Sequence, residues 1–387
     1  MPTARHRVVL AGGGVAGLEA LLALDAAARD LVELTLVAPE PRFHLRAMSV
    51  TAPFSGGTPR EWPVEALCRA RGARFLQARV VGVDAPGRHV ALDDARRLPY
   101  DALLLATGAR RIPVFPEALT FRGMQDAAAL HGLVEDVVEG WDSRIAFVVP
   151  DGVTWPLPLY ELALLLADRA ARVRAGVRLT LVTPEAAPLE AFGLAASNQV
   201  GVRLRQAGVE LLTCCRVADV RDGHLLDAGG AVLAEAQRVV ALPRLTGRPL
   251  AGLPQDPDGF LPVDAHGRVA GRPGVWAAGD GTTSPYKHGG IAAQQADAAC
   301  ADIARAAGAD VAPRPLRPVL RGQLLTGGRP LFLRHVLDNG ASESTAGEHL
   351  EPSPAAKVAA PRLTAWLGRG ACPGAQAVPD ATVEQLR

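Results

Sequence analysis

The stretch Arg7 to Gly17, RVVLAGGGVAG, restricts the fold of this chain more than any other. An apolar run, Val8 to Leu10, meets Gly12, Gly14 and Gly17 in G-x-G-x-x-G spacing, and a pattern rich in Ala and Leu follows. That order predicts a strand turning into a helix around a pyrophosphate. The first glycine makes the turn, the second admits the phosphates, and the third lets helix pack on strand. Gly13 and Ala16 lie in the same turn, and the helix N-terminus offers free N–H groups and a positive dipole end to an anion. The spacing alone is weakly specific, so the remaining chain must supply what a dinucleotide needs.

At 387 residues the chain is too long for one ordinary domain; at about 150 residues each, two or three are expected. With 49% hydrophobic and 21% charged residues it can bury a sizeable core. A formal net charge of +1, without a basic stripe or acidic tail, gives no electrostatic case for nucleic acid or an anionic membrane. Cys68, Cys214, Cys215, Cys300 and Cys372 show no C-x-x-C and no metal-ligand spacing. This odd, scattered set fits a reduced compartment, so a cytoplasmic location is expected and no metal site. Arg5 to Arg7 before an apolar stretch superficially imitates a signal peptide, but three glycines, Glu19 and Asp25 interrupt it. No uninterrupted apolar run reaches the roughly 18 residues of a membrane-spanning helix.

Val32 to Ala38 (VELTLVA) reads as the second parallel strand. Glu40 follows at 40 − 17 = 23 residues past the last glycine, near the interval of about 20 expected for a ribose-binding acid. It reads equally as a solvated turn residue between Pro39 and Pro41. Phe43 to Phe54 lacks periodicity and is expected to be a loop over the bound dinucleotide, with Arg46 facing a phosphate or another edge of that cofactor, or simply solvent. Val64 to Arg71 reads as a helix, Arg74 to Val83 as a strand, and Arg88 to Leu98 as a hairpin turning at Asp93 and Asp94. Two further motifs follow: YDALLLATGA at Tyr100 to Ala109, and GVWAAGD at Gly274 to Asp280 before an Ala-rich helix from Gly290 to Ala306. Each is a buried strand running into glycine, where backbone can approach a ligand.

With these three motifs in order, the chain resembles the two-dinucleotide-domain FAD flavoprotein reductases related to glutathione reductase, the pyridine nucleotide-disulfide oxidoreductase superfamily. The resemblance implies an α/β protein with two Rossmann-like domains. Residues 1–113 and 252–310 would form the FAD domain, 114–251 a second, NAD(P)-type domain, and 311–387 a C-terminal segment covering the flavin. It further implies that Gly12, Gly14 and Gly17 hold the FAD pyrophosphate, that Thr107 and Gly108 close the FAD domain, and that Asp280, after Gly279, binds the ribitol chain. The following helix would aim its positive end at the flavin ring and favour negative charge there.

The second domain departs from the familiar members. Between the strand Arg144 to Val149 and the helix Leu159 to Arg172 lies PDGVTWPLP, with three prolines and Trp155 in place of glycines. Backbone donors are missing and bulk fills the space for a pyrophosphate, so NAD(P)H is poorly served there. Glu185, after the strand Leu179 to Val182, is the one ribose acid on offer. Phe192 to Gly208 reads as a helix, and Val209 to Val217 as a strand carrying Cys214 and Cys215 on opposite faces.

These details resemble the sulfide:quinone reductase and flavocytochrome c sulfide dehydrogenase branch. That resemblance implies that Glu161, beside Tyr160, faces the flavin as a proton relay, and that Lys287 and Gly290 belong to a flavin-contacting loop and helix. Locally, Glu161 reads equally as an acid near a helix N-terminus, Lys287 as a solvated lysine, and His288 as an exposed histidine. The redox cysteines of that branch have no counterparts here, and Cys300 reads as a small core residue. Sulfide oxidation is not expected.

After Pro313, Pro315 and Pro318, Val319 to Leu333 reads as two short strands turning at Thr326 to Arg329. Asn339 to Ala356 reads as polar loop and Lys357 to Trp366 as one short helix, packed on the chain itself or on a second copy in a homodimer. Ala365, Trp366 and Leu367 are too small a patch for membrane anchoring. Three functions stay open: an FAD oxidoreductase linking a small molecule or redox protein as donor to an acceptor; an NAD(P)H-dependent flavin reductase; and a non-catalytic FAD-binding scaffold or sensor.

Overall fold

Apolar runs such as Ala102–Leu105 and Ile145 to Val148 form strands buried on both faces, and among the described residues ten strands lie in two parallel sheets built around them. The computed structural model describes residues 5–55, 60–337, 343–348 and 357–368. The first sheet has five parallel strands in spatial order Val275–Ala277, Ala102–Leu105, His6–Ala11, Val32–Ala38, Arg74–Gln77. In chain order this is 5-4-1-2-3, the doubly wound arrangement whose ligand crevice opens at the carboxyl ends of the strands. The second sheet is also parallel: Leu119–Thr120, Arg238–Ala241, Arg144–Val148, Arg178–Val182, Val209–Leu212. The fold is α/β with two Rossmann-like sheets, as expected.

The helices are α1 (Val15–Ala28), α2 (Ala52–Ser55), α3 (Val64–Ala70), α4 (Ala127–Val138), α5 (Leu157–Val173), α6 (Leu194–Gln206), α7 (Gly289–Ala306) and α8 (Pro361–Gly368). Helix α1 is buried along most of its length because α7 and α8 cover it, joining Leu18, Leu21, Ala296, Ile303 and Leu363 in one core. The two sheets are linked by a short antiparallel pair, Arg110–Ile112 with Arg244–Thr246. An antiparallel sheet of Val319–Leu324, Leu331–Val336 and Glu343–Gly347 follows α7.

Several local expectations change. Phe43–Phe54 is not a bare loop: Arg42–His44 pairs with Glu61–Pro63, and a 3₁₀ turn, Arg46–Thr51, leads into α2. Arg74 to Val83 breaks into two strands, because the second, Val80–Asp84, turns to join the hairpin of His89–Leu92 and Arg97–Pro99. Cys214 and Cys215 lie beyond the strand, which ends at Leu212; Cys214 has a left-handed φ of 55°, which ends the extended conformation. Part of the polar stretch after Asn339 is the strand Glu343–Gly347, held because Ser344 donates to Phe192 O. The rest of that stretch, and Cys372, lie outside the described residues. The tail helix starts at Pro361, where proline suits the first turn, and packs on α1 of the same chain. No helix among the described residues is long and apolar enough to cross a membrane.

Candidate functional site

The turn after the first strand is built from close backbone approaches. A Cβ on Gly12, whose φ is 128°, would lie 2.2 Å from Ala106 O, and one on Gly17 would lie 1.8 Å from Gly12 O. Gly13 packs its Cα side against Ala38. At Gly14, by contrast, a Cβ would meet nothing within 4 Å, and Gly108 is equally open at φ 66°. Gly14 caps α1 without a side-chain hydrogen bond, leaving the first N–H groups for an anion. These two open glycines border a cavity of about 650 Å³ between the sheets.

Ala16, Arg46, Gly108, Gly279, Asp280, Lys287 and Glu161 line that cavity with Gly14. Gly12, Gly13 and Gly17 form the turn behind it, with the backbone of Thr107, past the strand Ala102–Leu105, against Gly12, and Gly290 lies one residue inside α7, its Cα face covered by the His288 ring. Glu40 stands exposed past the second strand, outside the cavity wall. Gly279 donates its N–H to Gln295 Oε1 at 2.7 Å, which fixes the loop presenting Asp280. The Lys287 ammonium sits 3.7 Å from the Phe260 ring centroid and donates to Thr282 O, so it is not a solvated lysine. Burial lowers its pKa to about 8, against the opposing pull of Asp280 and Asp256.

Arg111, which the sequence did not single out, lines the same wall. Burial and then repulsion from Arg46 depress its pKa to about 10, while Asp280 opposes the fall. A half-buried guanidinium on the cavity wall, near Arg46 and Asp280, suits a bound anion. The open glycines, the uncapped α1 and this cation together fit the pyrophosphate of FAD.

The opposite wall comes from the second sheet. Trp155 occupies the expected glycine position, its ring centroid 4.0 Å from His288 at 30° and 5.4 Å from Phe192. His288 is therefore buried, not exposed, and burial lowers its pKa to about 3, leaving it neutral. Glu185, offered by the sequence as a ribose acid, is engaged by the protein itself. Its carboxylate accepts from Tyr160 Oη at 2.7 Å and Thr183 Oγ1 at 2.9 Å, and Glu190 N–H donates to it at 3.1 Å. Burial raises the Glu185 pKa against those hydrogen bonds, and raises that of Tyr160 well above the usual tyrosine value.

Glu161, on the first turns of α5, is wholly buried and paired with a residue absent from the sequence expectations. Lys357 Nζ donates to its Oε2 at 2.6 Å, and Leu325 N–H donates to its Oε1 at 2.9 Å. Burial raises the glutamate pKa and lowers that of the lysine, each opposed by the other's charge. Desolvation favours the neutral form of each partner, and the 2.6 Å contact puts Oε2 and Nζ within proton-transfer distance. No local pattern around Lys357 signals this partner.

A model of the pyridine nucleotide-disulphide oxidoreductase family matches residues 6–299. An NADH dehydrogenase-like protein of Mycobacterium tuberculosis is 30% identical over 295 residues, covering 71% of this chain and 72% of the relative. The type II NADH:quinone oxidoreductase of the same species is 28% identical over 256 residues, covering 60% and 55%. Among solved structures, the sulfide:quinone oxidoreductase of Aquifex aeolicus superposes with a TM-score of 0.78 at 17% identity, over 89% of this chain and 87% of that one. A ferredoxin reductase from Rhodopseudomonas palustris superposes with a TM-score of 0.65 at 21% identity, over 86% and 82%.

Proposed function

The chain belongs to the pyridine nucleotide-disulphide oxidoreductase family and is an FAD-dependent oxidoreductase, and on that premise we propose that it works without an active-site disulfide and without NAD(P)H. Its FAD, held non-covalently, passes electrons from a small-molecule or redox-protein donor to an acceptor reaching the cavity wall of Trp155, Glu161 and Lys357. Residues 1–113 with 252–310 serve as the FAD domain, 114–251 as the domain that shapes the substrate side, and 311–387 as the covering segment.

The observation that carries this reading is the turn from Pro150 to Pro158. Trp155 packs between His288 and Phe192 in the place of a phosphate-binding glycine, and Glu185 is spent on Tyr160 and Thr183. A nucleotide would find no glycine opening for its pyrophosphate, three N–H groups fewer because of Pro150, Pro156 and Pro158, and a Glu185 carboxylate already hydrogen-bonded.

Bound FAD supplies the two-electron redox chemistry. The chain's own residues do the rest: the Gly14 and Gly108 backbone leaves room for the cofactor, α1 and Arg111 would hold its phosphates, and Asp280 would hold its ribitol chain. Glu161 and Lys357 hold a proton at the inner wall, available to a donor that loses protons or an acceptor that gains them. Lys287 adds positive charge beside Asp280.

Anaerobic mixing of the FAD-loaded protein with NADH and with NADPH tests the reading. The flavin absorption band is expected to persist with both and to bleach with dithionite. Rapid bleaching by either nucleotide establishes instead the second reading, an NAD(P)H-driven flavin reductase, which the 30% identical NADH dehydrogenase-like relative favours.

A further inference from the structure

The segment from Lys357 to Leu363 lies beyond the part of the chain that the family model matches, yet reaches the same cavity. Lys357 starts it, bound to Glu161 of α5. Val358, also on the cavity wall, lies over the beginnings of two helices. A Cβ on Gly289, the first residue of α7, would come within 2.9 Å of Val358 Cγ1 and 3.7 Å of Val15 Cγ2, at the start of α1.

What keeps the segment there is the seat of α8. Glu19 on α1 has no exposed surface, and a buried carboxylate is costly unless it is paired and hydrogen-bonded. Among the described residues its partners come from α8: Leu363 N–H donates to Oε2 at 2.8 Å, and Arg362 N–H to Oε1 at 3.1 Å. The Arg362 guanidinium also reaches Glu19 Oε1 at 3.4 Å and pairs with Asp297 of α7. A carboxylate on one helix thus caps the N-terminus of another, and one arginine ties both to a third. Leu363, Trp366 and Leu367 supply the apolar floor.

We propose that Glu19 and Arg362 are positioning residues whose clamp on α8 holds Lys357 against Glu161 and Val358 over the starts of α1 and α7, so that FAD leaves only when the clamp opens. The inference rests on the cavity being the FAD site. It makes α8 a latch on cofactor exchange, distant from the cavity but coupled to it through six residues of backbone, Lys357 to Arg362.

The coupling is reciprocal: bound FAD must slow opening of the clamp if opening is needed for release. Hydrogen exchange at the Arg362 and Leu363 amides, compared with and without FAD, reads this in the wild-type chain. Slower exchange in the FAD-loaded protein is expected; unchanged exchange overturns the latch while a normal flavin spectrum leaves the cofactor site standing. A wild-type chain that binds no FAD sinks the reading beneath both. In Glu19→Gln, FAD release should be about tenfold faster, the factor equivalent to about 1.4 kcal/mol. The pH dependence of the flavin spectrum should also shift, because Lys357 is no longer held against Glu161 at the cavity wall, and Arg362→Lys should behave as wild type. Should Glu19→Gln fail to fold, Arg362→Met, at a side chain 41% exposed, carries the same test. Variants that lose thermal stability but release FAD at the wild-type rate, with an unshifted pH profile, overturn the proposal in favour of a purely structural clamp.

Discussion

Lys357 and Glu161 meet at 2.6 Å with side chains 5% and 0% exposed, although 196 residues separate them in the chain. Removing one partner leaves the other buried without its counter-charge, whereas removing both leaves an apolar seam. Lys357→Met is therefore expected to cost about 3–5 kcal/mol, and the double variant with Glu161→Leu to recover most of it. Urea unfolding of the apo-protein measures both. In the single variant, burial acts on Glu161 with only the Leu325 N–H opposing it, so the folded-state pKa rises further above the unfolded value. The folded state then binds the proton more tightly, and stability falls as pH rises through that window.

Gly14 and Gly17 differ in what a methyl group would meet, and so separate cofactor binding from folding. Gly17→Ala would drive a Cβ into Gly12 O, forcing α1 off the first strand, so the apo-protein should lose several kcal/mol in a thermal melt. Gly14→Ala has open space in the apo-protein and should leave the melt unchanged. Its FAD affinity should fall by about tenfold or more, because the methyl group occupies the phosphate approach. Equal FAD affinity in Gly14→Ala would remove this glycine from the cofactor site.

The imidazole of His288 contributes an acid-labile element. Its folded pKa of about 3 lies below the unfolded value of 6.5, so the unfolded chain binds the extra proton between these limits. The stability is fully present above pH 6.5 and is lost as pH falls toward 3, by at most about 1.4 kcal/mol per pH unit. His288→Phe keeps a ring against Trp155 and should flatten that limb in denaturation curves taken across the range. Proton NMR should show no titration of this ring between pH 5 and 8.

Tyr160→Phe removes the hydroxyl that donates to Glu185 while Thr183 and Glu190 still hold the carboxylate. A loss of about 1–3 kcal/mol is expected, seen as a lower urea midpoint. On the proposed reading, in which Glu185 serves the interior, the substitution should leave the response to NADH and NADPH as it is in the wild type; a changed response would return Glu185 to a nucleotide site.

The strand-turn-helix at Arg7 to Gly17, the two later glycine-ended strands and most element positions were legible because their signals are local. Apolar runs mark buried parallel strands, and glycines mark backbone approaches at fixed spacing. Single-residue environments were less so. His288 reads as an exposed loop histidine until Trp155, 133 positions earlier, stacks on it. Glu185 reads as a ribose acid because it follows a strand, and only the packing of Tyr160 from α5 turns it inward. The misplacement of Cys214 on a strand has a local cause, a left-handed residue that no composition rule marks at cysteine.

The sequence by itself determined the first Rossmann unit, its cofactor class, and the loss of glycines at Pro150 to Pro158, since each is written within one strand and its turn. Only the tertiary structure decided that Glu161 is neutralised by Lys357 and that Glu19 caps α8. Those contacts join segments with no shared period, and they exist because burying a carboxylate requires a partner, wherever in the chain the fold brings one near.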